Sequence, residues 1–348
     1  EKKAAEVHGE KVEYKEGESD HAAHDPDRPR AFYSWMQSEK EYYASVPNET
    51  HDHAWRAKRG YLSTGFWHIR WVLCFVIWGV FTWLMRKHSL AQDSDGDAKW
   101  TGYNRKLAAA GIFVFAATLT IGAIDWMKGL EHQWFSTMYG VWFFASGIRS
   151  ALAITIIGCL YLKNKGTLNG IYKQAHQYDL ACLSLAFTVF WAYISFSQYF
   201  LIYSANIPEE TFWYNIREIN PNTGETSAWF WVSMGLIFGH FFFPFLYLLF
   251  YKNKINGARI TFIALWILAF HLLDLYWNII PGREIVPGAY VGYEARPVVG
   301  THLFWGIASL IGIGCLCIRV VIKSFNSQIA EIVPVRDPRI LDSLNHHE

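Results

Sequence analysis

Residues 260–280 read ITFIALWILAFHLLDLYWNII, an apolar run whose strongly polar members are His271, Asp274 and Asn278. A helix rises about 1.5 Å per residue, so a run of this length crosses a hydrocarbon layer of about 30 Å. The three polar residues follow one another at i, i+3 and i+7 and therefore share one face of a helix. The stretch predicts a membrane-spanning helix with a single polar stripe.

Apolar runs of similar length recur along the chain, and the connections between them are short and polar. The other six cover approximately Phe66–Met85, Leu107–Met127, Phe135–Leu162, Leu180–Tyr203, Trp229–Tyr251 and Val298–Ile322. Transmembrane barrel strands would be about half as long and would alternate in polarity. Helices are then the remaining way to satisfy backbone hydrogen bonds in lipid. We predict an all-α, polytopic transmembrane bundle of seven helices within residues 60–323.

Composition supports a membrane protein and argues against nucleic-acid binding. The 348 residues are 52% hydrophobic and only 18% charged, whereas soluble domains carry roughly a quarter charged residues. A net charge of +1 creates no field that would gather a polyanion. No pair of the five cysteines has the CxxC spacing of zinc or iron–sulfur sites, or the CxxCH of covalent haem attachment. We expect no metal site built from cysteine.

Two polar tails flank the helical part. Residues 1–59 are rich in His and Glu and lack an apolar run, which is typical of a segment that stays extended unless a partner orders it. Residues 324–348 form the second tail. The loops on the side of the C-terminus hold roughly twice as many Lys and Arg as those on the other side, which predicts a cytoplasmic C-terminus and a periplasmic N-terminal tail.

The stripe on the sixth segment is the first candidate site. An acid at mid-membrane costs at least ~3 kcal/mol on insertion scales, so it needs a partner, a cavity or a function. An imidazole and a carboxylate one turn apart stabilise each other's charged form, which is the minimum unit of a proton relay. The alternative is that His271, Asp274 and Asn278 only hold helices together through hydrogen bonds.

Arg149 lies in the middle of the third segment and requires an anion. Ser146, Gly147 and Ser150 surround it, and such small residues permit close helix approach. We expect Asp125, near the end of the second segment, as its partner, with Asp274 as the second choice. A static pair of this kind would be structural, whereas an exchanging one would carry protons.

Two further histidines lie inside or at the ends of the segments. His240 precedes Pro244 by one turn, so the missing proline N–H leaves the His240 carbonyl without its helical donor and kinks the helix. His240 then either lines a cavity or is a satisfied core residue. His176 and Asp179, at i and i+3, form a second couple at the cytoplasmic mouth, or simply a helix cap.

Haem binding is a further alternative. Membrane b-type haems commonly use two histidines from facing helices, and His240 with His271 or His302 could supply them. The acid on the face of His271 argues against this hypothesis.

Several segments resemble the NrfD or polysulfide-reductase family of membrane subunits, specifically the ActF subunits of bacterial alternative complex III. They are GYLS followed by FWHIR (residues 60–63 and 66–70), DWM (125–127), HQWFST (132–137), HQYDL (176–180) and FSQYFLIYSANIPEE (196–210). The last is the strongest, and together they span the membrane part. Such subunits normally have about ten helices, whereas seven are visible here.

The resemblance implies a subunit of the bacterial inner membrane that binds no redox cofactor itself. Its complex would oxidise a quinol and pass electrons through external iron–sulfur and c-haem subunits to a cytochrome c or a terminal oxidase. The quinol site is usually assigned to a sister NrfD-like (ActC-like) subunit, against which this chain would pack, handling protons. Two alternatives stay open: a structural scaffold for the external subunits, or direct quinone binding with His132 or His302 accepting the quinol proton.

Overall fold

The computed structural model describes residues 6–7, 10–11, 33–36, 57–285, 293–326, 333–334 and 336–345. The chain divides into two compact units, Glu1–Phe66 and Trp67–Glu348. In the first, strands β1 (Glu6–Val7) and β2 (Glu10–Lys11) pair antiparallel. A 3-10 turn covers Ser34–Met36. Most of the predicted 1–59 tail lies outside the described residues.

The described residues of the second unit are mainly helical, and seven helices of the described part of the chain are long and apolar enough to cross a membrane, as predicted. In chain order the elements are α1 Thr64–Asp95, α2 Lys99–Trp126, a 3-10 turn Lys128–Glu131, α3 Tyr139–Asn164, α4 Gln174–Ala205, α5 Pro208–Glu218, α6 Ala228–Gly235, a π-helix Leu236–Phe242, α7 Phe243–Leu249, α8 Tyr251–Ile255, α9 Gly257–Ile279, β3 Arg283–Ile285, β4 Tyr293–Ala295, α10 Thr301–Asn326 and α11 Ile340–Leu344. Strands β3 and β4 pair antiparallel. We call α6, the π-helix and α7 together the fifth span.

The first helices are longer than the apolar runs that predicted them. Helix α1 continues past Met85 to Asp95, and α2 already begins at Lys99. Residues 86–95 contain neither glycine nor proline, so the helix persists beyond the hydrocarbon layer until Gly96 adopts a positive φ of 72°. Apolar length therefore predicted the membrane crossing but not the helix ends.

Two apolar clusters fill the bundle made by α3, α4, the fifth span and α9. One lies at the end that carries α5 and includes Trp134, Trp142 and Trp213. The other lies at the opposite end and includes Ile156, Leu248, Ile263 and other aliphatic residues. We call these ends the α5 side and the C-terminal side. Between the two clusters the helices carry most of their buried charges.

The fifth span is not a regular helix. Residues Leu236–Phe242 form a π-helix, and Pro244 lies at the start of α7. Proline cannot donate a backbone hydrogen bond, and π-helical turns inside α-helices occur frequently at functional sites. The irregularity places His240 in the interior, where only 1% of its surface is exposed.

Close packing of α2 on α3 predicts a strong effect of a single methyl group. A Cβ at Gly140 would lie closer than 3 Å to three side-chain atoms of Thr120, including its Cβ, so the backbones would have to separate. We expect Gly140→Ala to lower the free energy of unfolding by about 1–3 kcal/mol. Thermal unfolding of the purified protein in detergent measures the change.

Gly147 provides the matched control within the same helix. A Cβ there meets nothing within 4 Å. Gly147→Ala should therefore be neutral, or stabilising by up to about 1 kcal/mol, because alanine is the better helix former. Equal thermal stability of the two variants would show that α2 and α3 are not in contact at Gly140.

Candidate functional site

A cluster of polar side chains occupies the middle of the bundle, between the two apolar clusters. Helix α3 contributes Ser146 and Arg149, the π-helix contributes His240, and α9 contributes His271 and Asp274. Arg149 and His240 are each 1% exposed and Asp274 is 2% exposed. The structure thus brings together five groups from three separate helices, which we call the Asp274 cluster.

One hydroxyl connects the acid to the imidazole. Ser146 Oγ lies 2.8 Å from His271 Nδ1 and 3.3 Å from Asp274 Oδ2. The Asn278 amide donates to the Asp274 carbonyl at 2.8 Å, and it lies 3.5 Å from the carboxylate oxygen Oδ1. The stripe predicted on the sixth segment therefore faces the bundle interior, and its partner Ser146 comes from α3.

Arg149 donates to the backbone carbonyl of His240 in the π-helix. Its Nη2 lies 2.6 Å from the His240 oxygen. Its Nε and Nη1 have no hydrogen-bond acceptor among the described residues. Asp274 lies close enough for electrostatic attraction. Asp274, the alternative anion expected for Arg149, therefore attracts it electrostatically, but the two do not form an ion pair within 4 Å.

The expected pair of Arg149 with Asp125 is wrong. Asp125 instead binds Arg70 of α1, with Nε to Oδ2 at 2.6 Å and Nη2 to Oδ1 at 3.0 Å. The Trp67 indole also donates to the Asp125 carbonyl. Because α2 presents Asp125 to α1 rather than to Arg149, this acid belongs to a separate buried ion pair. The only sign in the sequence was Arg70 itself, a charge inside an apolar run.

The His240 side chain makes no polar contact within the cluster. Neither ring nitrogen has a hydrogen-bond partner among the described residues. The edge of the ring meets Trp191 at 4.5 Å between centroids. The possible ligand atoms of His240, His271 and Asp274 lie within 4.8 Å of one another, a spacing that a metal ion could bridge. The neighbouring Arg149 guanidinium repels a divalent cation there, whereas it would attract an anion.

The second predicted pair, His176 and Asp179, lies at the start of α4. His176 Nδ1 accepts from the backbone N–H of Lys173 at 3.2 Å, which caps α4. His176 Nε2 lies 3.0 Å from Ser343 Oγ, and Lys173 Nζ donates to the Leu344 carbonyl. Asp179 is exposed. The geometry therefore supports the helix-cap hypothesis for His176. It also shows that α11 packs against the start of α4.

The two histidines proposed as quinone contacts lie apart from the Asp274 cluster. His132 is buried directly after the turn Lys128–Glu131. His302 stacks on Tyr276 with centroids 6.1 Å apart. Neither lines the cavity described below. Their role as proton acceptors stays a prediction.

Arg217 is a buried cation that sequence reasoning counted only as a loop charge. Its guanidinium lies 3.5 Å above the Trp213 ring and donates to the carbonyls of Trp213, Trp277 and Asn278. It thereby satisfies the free carbonyls at the end of α9 and complements the negative end of that helix. Burial lowers the pKa of Arg217 to about 9, so it stays charged at neutral pH. The sequence signal for this buried position was the aromatic residues near Arg217, as in WYNIR (213–217).

A cavity of about 760 Å³ leads from the α5 side to the cluster. Its walls come from α4 and the fifth span, its roof from α5 and its floor from α9. Asp274 lies at the floor, and Arg217 with Glu218 at the roof. This volume is in the range of small-molecule sites. The cavity could not be read from the sequence, because its lining comes from five parts of the chain: α3, α4, α5, the fifth span and α9.

Comparison with protein-family models and with curated protein sequences finds no match to this chain. Its function therefore has to be inferred from the geometry of the Asp274 cluster and of the cavity above it.

Proposed function

We propose that this chain is a membrane subunit of a quinol-oxidising respiratory complex of the alternative complex III type, and that its Asp274 cluster holds and transfers protons. The observation that supports the proposal is the burial of an acid, an arginine and the His240 imidazole at one depth of the bundle, beside the half-buried His271. Each such group is expensive in a hydrocarbon layer. Apolar side chains of similar size would pack the same space at lower cost.

The Ser146 hydroxyl supplies the step between the two titratable groups. It can accept a proton at its oxygen while it releases its own proton, and it lies within reach of both His271 and Asp274. Arg149 stabilises the ionised form of Asp274, whereas burial stabilises its neutral form. Opposing influences of this kind let a buried acid exchange its proton.

Access to the cluster differs between the two sides of the bundle. The cavity reaches Asp274 from the α5 side. On the C-terminal side the neighbouring layer is apolar and includes Ala153, Ile156, Leu248 and Ile267. We therefore propose that Asp274 exchanges protons with the α5 side. The distribution of Lys and Arg predicts that this side is periplasmic, in a bacterial inner membrane.

The redox chemistry in this proposal belongs to partner subunits. Iron–sulfur clusters and c-type haems would lie in the external subunits, and quinol would be oxidised in a sister NrfD-like subunit. Helix α10 offers a surface for such a neighbour or for lipid, since none of its residues with described burial is buried. Phe304, Trp305 and Ile311 each expose at least 60% of their surface.

Neutralising Asp274 tests the proposed role. In the natively purified complex reconstituted into liposomes, Asp274→Asn should reduce the protons released per electron to the yield of quinol oxidation alone. Electron transfer should continue, because the partners hold the redox centres. A pH-sensitive dye and the acceptor's absorbance report the two quantities together.

Asp97→Asn, at an exposed loop position, is the control and should leave the proton yield unchanged. If the chain were only a scaffold, Asp274→Asn would lower the amount of assembled complex and leave the proton yield per electron intact. That result would contradict the proposal.

A further inference from the structure

A buried lysine faces a cysteine at the C-terminal side of the bundle. Lys254 of α8 is 6% exposed, and its Nζ donates to Cys182 Sγ of α4 at 3.3 Å. Among the described residues, this sulfur is the only polar atom within hydrogen-bonding distance of the ammonium group. The Tyr178 ring, whose centre lies 5.0 Å from Nζ, adds a cation–π attraction. We call the two side chains the Cys182–Lys254 pair.

The backbone around the pair is held in place by other contacts. Gln177 of α4 donates to the Lys254 carbonyl at 2.8 Å, which ties α8 to the helix that carries Cys182. Leu248, at the end of the fifth span, is completely buried. Because Lys254 is buried on a backbone that is tied to α4, its ammonium group stays beside the sulfur.

A thiol is a poor partner for a buried ammonium group. An uncharged cysteine sulfur is only a weak acceptor, and burying a charge without a counter-ion is costly. An apolar side chain such as methionine would fill the same space at lower cost. Stability alone therefore does not explain the pair, whereas a neighbouring lysine is a feature of reactive cysteines.

The other four cysteines lie in different surroundings. Cys74 is buried, Cys159 is half-buried, and Cys315 and Cys317 are exposed on α10. In the part of the chain that the structure describes, none of the four sulfurs is hydrogen-bonded to a lysine or an arginine. Cys182 is half-buried, so a small molecule can reach it. Exposure alone ranks the two cysteines of α10 as the most reactive, whereas a neighbouring cation ranks Cys182 first.

We propose that Cys182 and Lys254 form a peroxide-reactive pair. A hydroperoxide oxidises the thiol to a sulfenic acid, and the lysine amine then closes a sulfur–nitrogen bond between α4 and α8. Neither residue belongs to the Asp274 cluster or lines the cavity above it, so the inference does not rest on the proposed function.

Both steps use groups that the pair already brings together. In the first, the sulfur attacks one oxygen of the peroxide, the O–O bond breaks, and the sulfur loses two electrons. The leaving hydroxide takes a proton from the Lys254 ammonium and departs as water, while the thiol proton passes to the solvent. In the second, the lone pair of the neutral amine attacks the sulfur and the S–O bond breaks. The hydroxide takes an amine proton and departs as a second water, which leaves a sulfenamide that a dithiol reductant can reopen.

Mass spectrometry of the natively purified complex after treatment with hydrogen peroxide tests the first step. Dimedone, which traps sulfenic acids, should label Cys182 before Cys315 and Cys317. Lys254→Met removes the proton donor and should slow the labelling of Cys182 by roughly tenfold or more. Lys252→Met, at an exposed position of the same helix, is the matched control and should not change the rate. The order of labelling in the wild-type chain decides the matter if Lys254→Met fails to assemble.

A sample oxidised without dimedone tests the second step. The peptides that contain Cys182 and Lys254 should be found joined, with two hydrogens fewer than the separate peptides, and dithiothreitol should separate them again. Lys254→Arg keeps a cationic donor, but a guanidinium group stays protonated and is a poor nucleophile. This variant should therefore retain the dimedone labelling and lose the joined peptides.

Labelling of Cys315 and Cys317 ahead of Cys182 would overturn the proposal, since exposure would then decide reactivity. An unchanged rate in Lys254→Met would overturn it as well, because the lysine would then only fill space. Dimedone labelling of Cys182 in one sample without joined peptides in the other would show that the sulfur–nitrogen bond does not form, which also contradicts the proposal.

Discussion

Replacing Arg70 by methionine should destabilise the protein by about 3–5 kcal/mol, because it leaves the Asp125 carboxylate buried without its cation. The two side chains are 8% and 2% exposed and form two hydrogen bonds with each other. The pair also ties α1 to α2, which are among the least buried of the membrane-length helices. Thermal unfolding in detergent, followed by circular dichroism, should show the largest loss of any single substitution on these two helices.

A double substitution separates the ion pair from packing. Arg70→Met with Asp125→Leu removes both charges and should recover most of the loss, because apolar residues can replace a buried pair without leaving an unpaired charge. The Arg339 side chain is 53% exposed and pairs with Asp337 at 3.1 Å. Arg339→Met is the control and should cost at most about 1 kcal/mol. A double variant as unstable as the single one would contradict the pairing.

Arg149→Gln should have a comparable effect, about 3 kcal/mol, for two reasons that act together. The substitution removes the donor to the His240 carbonyl, which lies in the π-helix. It also removes the cation that attracts Asp274. The free energy of unfolding is again the quantity to measure, by thermal unfolding of the purified protein.

The variant Arg149→Gln with Asp274→Asn tests the second reason. With the acid neutralised, the missing cation matters less, so the double variant should be more stable than Arg149→Gln alone. Arg149→Lys keeps the charge but has no planar fork to reach both groups, and should recover only part of the stability. Strict additivity of the two single substitutions would show that Arg149 and Asp274 are not coupled.

The location of the Asp274 cluster was predictable from one helix, but its composition was not. The spacing of His271, Asp274 and Asn278 required that they share a face, and the cost of burial required that the face point inward. The residues that contact this face depend on the rotation of α3 about its axis and on the π-helix around His240. Small rotations of neighbouring helices exchange partners without changing any hydropathy pattern, which is why Asp125 was assigned to Arg149.

Arg217 shows the same limit outside the hydrocarbon layer. In the sequence it is one charge in a polar connection, and nothing local indicates burial. Only the packing of α5 over the end of α9 surrounds it with tryptophan rings and backbone carbonyls. The cavity beneath it likewise exists only where several elements meet.

The amino-acid sequence alone determined that the given residues include seven apolar segments of membrane-spanning length and that these are helices, because apolar length and backbone satisfaction in lipid leave no other arrangement. It also determined that some of these helices carry groups which lipid does not tolerate. The tertiary structure decided which charge meets which, and that a cavity opens onto Asp274. Pairing and cavity shape depend on distances between residues far apart in the chain, and those distances are set by packing rather than by any local pattern.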